Sequence, residues 1–99
     1  MNPIDIIVET TQAIAANPSD AEAYKKRAIT LCQIQQYGEA LEDLNTLIDT
    51  LKTNDAEVYQ LRGTLRMNHN DKTGAINDMR KALDLNPQLL GQLNGEFKL

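Results

Sequence analysis

The chain has 99 residues, 41% hydrophobic and 24% charged, enough for one modest core and far from the composition of a disordered segment. Its formal charge of −4 is concentrated early, where eight acids up to Leu51 face only Lys25, Lys26 and Arg27, so no basic stripe exists to drive binding to nucleic acid. Cys32 has no second cysteine to pair with, and the early apolar run Ile6-Ile7-Val8 is too short for a leader or a membrane span, which together read as a cytoplasmic protein without membrane contact.

Helical patterns follow one another along the chain, with no strand signal. Asn2 caps the first helix, Pro3 sits in its first turn, and Ile4, Ile7, Val8, Thr11, Ile14 and Ala15 form an apolar stripe that ends at Asn17-Pro18. Ser19 or Asp20 caps a second helix, whose expected buried face is Ala21, Tyr24, Ala28 and Leu31. After the turn Gln35-Gln36-Tyr37-Gly38, a third helix packs through Ala40, Leu41, Leu44, Leu47, Ile48 and Leu51. Asp55 caps a fourth on Tyr59, Gly63 and Met67, and a fifth uses Ala75, Ile76, Met79, Ala82 and Leu83 before Asn86-Pro87. The tail carries Leu89, Leu90, Leu93 and Phe97, a weak amphipathic helix burdened by Gly91 and Gly95.

These helices form a duplicated order. Ala21-Glu22-Ala23-Tyr24-Lys25-Lys26-Arg27-Ala28 returns 35 residues later as Ala56-Glu57-Val58-Tyr59-Gln60-Leu61-Arg62-Gly63. Ala40-Leu41-Glu42-Asp43-Leu44 returns at the same offset as Ala75-Ile76-Asn77-Asp78-Met79. A period of this size, with an aromatic and a small residue in register, marks a helical repeat array. The two copies resemble the tetratricopeptide repeat. Its aromatic and small residue on the first helix are matched by Tyr24 with Ala28 and Tyr59 with Gly63, its second-helix alanine by Ala40 and Ala75, and its closing proline by Pro87. The first copy departs from the pattern in lacking that proline and in having Gln35-Gln36 where glycine is usual. The resemblance implies an all-α antiparallel helix-turn-helix repeat array, a short right-handed solenoid of about six helices. Residues 3–18 are its N-terminal half-repeat, 21–54 and 56–87 its two full repeats, and 88–99 a C-terminal cap.

The charge pattern repeats as well. Arg27 and Asp43, like Arg62 and Asp78, are 16 residues apart at equivalent places on paired helices, which predicts an ion pair within each repeat or between neighbours.

No constellation points to catalysis, a metal or a cofactor. His69 is the only histidine and reads as a helix-end residue; Cys32 reads as a small, partly buried hydrophobe. Acids such as Asp5/Glu9 and Glu39/Glu42/Asp43 read as solvated faces. The resemblance implies protein–protein interaction, with the first helices of successive repeats lining a concave groove for an extended peptide or a partner's helix. The candidate contacts are Lys25, Ile29 and Gln33 on one first helix and Gln60, Thr64 and Asn68 on the next, each trio stepping by four along one helical face. The alternative is a structural subunit that self-associates weakly through an exposed end, against an otherwise expected monomer. A chaperone-tail clamp of the family would need asparagines where Ile29 and Leu61 stand, although Lys25 matches its opening lysine.

Overall fold

The computed structural model describes residues 1–91. Its helices are α1 (Pro3–Ala16), α2 (Ala21–Gln33), α3 (Tyr37–Asn45), which runs on into a wider π segment (Thr46–Thr50), α4 (Ala56–Asn68) and α5 (Lys72–Leu85), with no strand among the described residues. The all-α helix-turn-helix reading therefore holds. The expected tail helix falls mostly outside the described residues, Leu93 and Phe97 included. Two compact units result, Met1–Thr53 and Asn54–Leu99.

Helix starts follow from side chains that accept backbone N–H bonds otherwise left without a partner. Asn2 accepts from Asp5, Asp20 from Ala23, Asp55 from Glu57 and Asp71 from Gly74. The ends fall into two kinds. α1 and α5 stop alike: Asn17 and Asn86 adopt nearly the same extended backbone (φ −145°, ψ 96° and φ −144°, ψ 90°). Each donates its N–H to the carbonyl four residues back at 2.9 Å, and each side chain accepts the N–H two residues on, as proline demands. α2 and α4 end instead with a left-handed residue, Gln35 (φ 63°) and Asn70 (φ 64°). The next N–H then reaches back across the turn at 2.8 Å, from Gln36 to Leu31 and from Asp71 to Arg66. Asparagine tolerates that conformation better than glutamine. Gln35→Gly should therefore raise stability by about 1 kcal/mol, read by urea unfolding, and an unchanged midpoint would show that the turn is unstrained.

The first repeat, which lacks a closing proline, leaves its second helix differently. Leu51 donates to Thr46 and Thr53 to Leu47, both at 3.0 Å, and Lys52 turns left-handed at φ 56°. These wider turns open the helix before the chain reaches Asp55.

In the first unit α1 and α3 both pack against α2. Its core is Ala23, Ala28, Leu31, Ala40, Leu44, Leu47 and Ile48, with Leu44 at 0% and Leu47 at 1% exposure; each buried leucine contributes roughly 1.5–3 kcal/mol. In the second unit α4 pairs with α5, and Met79, Ala82 and Leu89 cluster with Ala56, Tyr59 and Leu83.

Several expected faces are rotated. α1 turns Ile6, Ile7, Thr10, Ala13 and Ile14 inward and leaves Ile4 and Val8 exposed at 61% and 50%. Ala21 is exposed and Tyr24 half-buried on α2. On α4, Val58, Arg62, Gly63 and Leu65 are buried while Tyr59 and Met67 are half-buried. Ile76 is exposed on α5, and beyond it Leu89 is buried where Leu90 is not.

Candidate functional site

The two Arg–Asp pairs decide which side of each first helix stays available. Arg27 grips Asp43 with two nearly parallel bonds, Nε to Oδ2 at 2.8 Å and a terminal nitrogen to Oδ1 at 2.7 Å. Arg62 grips Asp78 the same way at 2.9 and 2.8 Å. Both pairs lie within one repeat, joining its first helix to its second. The environments differ. Arg27 keeps 21% of its side chain exposed, donates also to Thr11 at 3.2 Å and lies 5.8 Å from the centre of the Tyr24 ring. Its hydrogen bond to Asp43 raises the pKa of a guanidinium that is already always charged. Arg62 and Asp78 are buried, and Arg66 adds a third bond to the same carboxylate at 3.1 Å.

Arg27 lies two residues from Lys25, and hence about 200° around the helix at ~100° per residue. The line Lys25, Ile29, Gln33 therefore runs on the side opposite the ion pair. Lys25 is half-buried, Ile29 is 38% exposed and Gln33 is exposed. The same relation on α4 sets Gln60, Thr64 and Asn68 opposite Arg62; Gln60 and Thr64 are half-buried and Asn68 is exposed. Thr64 donates its hydroxyl to the Gln60 carbonyl at 3.0 Å, leaving lone pairs on its oxygen for a donor from outside. Each trio is thus a mostly polar line of side chains along one helix face.

His69 closes α4, with Nδ1 at 2.7 Å from the Leu65 carbonyl, which requires the ring proton on that nitrogen. Cys32 is half-buried, and burial pushes its thiol pKa up, away from the reactive thiolate. Among the described residues no group of three or more His, Cys, Asp and Glu could hold a metal ion, and no helix is long and apolar enough to cross a membrane.

A feature that the sequence reading passed over is a cleft of about 270 Å³ in the first unit, lined by Ile7 and Thr11 of α1, Arg27 and Leu31 of α2, and Glu39, Glu42 and Asp43 of α3. The matching Asn-Pro ends that make α1 a half-repeat also align Ile4 and Val8 with Thr73 and Asn77, which are exposed on α5.

Comparison with known proteins agrees with this construction. The family model described as tetratricopeptide repeat matches residues 10–42, from the middle of α1 into α3. The solved structure of MamA superposes with a TM-score of 0.76 at 27% identity, over 82% of this chain and 47% of MamA, so the chain spans about half the length of that relative. No curated protein matches the sequence significantly. The family model covers the first repeat, whose left-handed turn and Arg–Asp grip recur in the second, so the chain is similar to tetratricopeptide-repeat proteins in sequence over residues 10–42 and in fold.

Proposed function

We propose that this chain is a protein–protein interaction module whose first helices hold an extended peptide or a partner's helix. The observation that carries the reading is the division of labour on α2 and α4: the ion pair and core take one side of each helix, and packing leaves the Lys25 and Gln60 lines on the other. Amide and hydroxyl groups at Gln33, Gln60, Thr64 and Asn68 suit the N–H and C=O groups of a peptide backbone, and Ile29 supplies an apolar contact. The role is binding rather than catalysis, in keeping with a histidine tied to its own helix and a thiol held in its neutral form.

Contact with about 4–6 extended residues at ~3.3 Å each fits affinity near ~1 μM. Peptides selected on the wild-type chain from a random display library should lose at least tenfold in affinity for Lys25→Glu and for Asn68→Ala. Asn68 is exposed, so Asn68→Ala should leave Tm where it was, while Lys25 is half-buried and the binding of Lys25→Glu is compared at a temperature below its own melt. Full binding by both variants would move the peptide site elsewhere on the chain.

A further inference from the structure

The proline-linked ends that α1 and α5 share put the two helices in register, and three helices can then be compared position by position. Ile4 and Val8 of α1 correspond to Thr73 and Asn77 of α5, and to Gly38 and Glu42 around the start of α3. All six positions are exposed. Only α1 carries apolar side chains there, so the fold itself does not ask for them.

The two residues continue an apolar surface that begins in the cleft. Ile7 and Thr11 form the α1 wall, Ile4 and Val8 stand one turn away on the same helix, and Glu39 and Glu42 line the facing α3 wall. One lip is apolar and the other acidic, in a unit that carries eight acids and four bases over residues 1–53.

We propose that α1 and α3 form a second interaction surface, distinct from the α2 and α4 lines, that takes a cationic amphipathic helix of a partner protein. Its apolar residues would cover Ile4, Ile7 and Val8, and its Lys or Arg side chains would reach Glu39 and Glu42. Anchors four residues apart on a straight helix are met by the i, i+4 spacing of another helix, the usual mode of helix-in-groove recognition. Charge complementarity sets the sign of the partner. A second copy of the same face would oppose acids to acids, and an anionic membrane surface would be repelled.

The probe is a synthetic 18-residue helix of Leu on one face and Lys on the other, with a Leu/Glu peptide of the same spacing as its counterpart. Binding is read by fluorescence anisotropy, and amide NMR shifts locate it. The Leu/Lys peptide should bind and shift amides of α1 and α3, while the Leu/Glu peptide should not bind. The double variants Ile4→Gln/Val8→Gln and Glu39→Lys/Glu42→Lys should each weaken binding at least tenfold with unchanged circular dichroism. The matched α5 double variant Thr73→Gln/Asn77→Gln should bind as the parent does. Equal binding of the two peptides, amide shifts confined to other helices, or full affinity in both α1 and α3 variants would overturn the proposal.

Discussion

Asp78→Ala should cost roughly 3–5 kcal/mol, because it removes the carboxylate that Arg62 and Arg66 share and leaves a buried guanidinium to be desolvated without it. Asp43→Ala removes a pair of the same geometry, yet Arg27 is 21% exposed and solvent can take over, so about 1 kcal/mol is expected. The contrast between the two repeats is the informative quantity. At ~4–8 °C per kcal/mol for a domain of this size, Asp78→Ala should lower Tm by more than 12 °C and Asp43→Ala by well under 10 °C. Replacing both members of the buried pair, as in Arg62→Met/Asp78→Leu, should recover much of the loss, since apolar groups of similar volume carry no desolvation cost. Equal losses for the two single variants, followed by circular dichroism at 222 nm, would show that burial does not govern these pairs.

The same pair explains what could and could not be read in the sequence. The duplication at an offset of 35 residues exposed both Arg–Asp pairs, since a recurrence of opposite charges on helices that must pack is hard to satisfy otherwise. Caps were legible for a similar reason: Asn2, Asp20 and Asp55 each precede a run of helix formers, and the short side chain has one local use there. The buried face of α4 extends beyond the apolar stripe because it contains Arg62. Periodicity sets a charged residue in solvent and the core stripe on Tyr59, Gly63 and Met67; Gly63 is buried as that stripe expects and Tyr59 and Met67 are half-buried, while Val58, Arg62 and Leu65 are also inside once Asp78 accepts the guanidinium. On α1 the apolar residues outnumber the positions that one neighbouring helix can cover, and periodicity alone does not say which are left over. The π segment has no sequence signature beyond a proline that is absent from Lys52-Thr53-Asn54. As for the candidate site, spacing puts each trio on one face, while the exposure that makes it available depends on where the ion pair turns the helix.

Gly63→Leu should be the most damaging change in the α4–α5 crossing. A Cβ at this position would already lie 3.0 Å from the Met79 methyl, 3.3 Å from the Ala75 carbonyl oxygen and 3.3 Å from Asp78 Cβ. A single methyl can be accommodated, because the nearest atom is the end of a flexible methionine, and alanine gains about 1 kcal/mol of helix propensity over glycine; Gly63→Ala should therefore be close to neutral. Leucine has no such escape. It must push α5 outward at the carbonyl of Ala75, a residue with 0% exposure, and disturb the Asp78 grip beside it. Overpacking of a tight core costs about 1–3 kcal/mol before the ion pair is counted, so Gly63→Leu should exceed that range. Ala40→Leu and Ala75→Leu, at equivalent positions with no exposed surface, should fall within it. Thermal melts rank the four variants, and the order Gly63→Ala, then the two alanine replacements, then Gly63→Leu follows from how much backbone each added carbon meets. Parental Tm values for Gly63→Leu and Ala75→Leu together would mean that the helices do not approach most closely at this point, and would remove the packing reason for a small residue in both repeats.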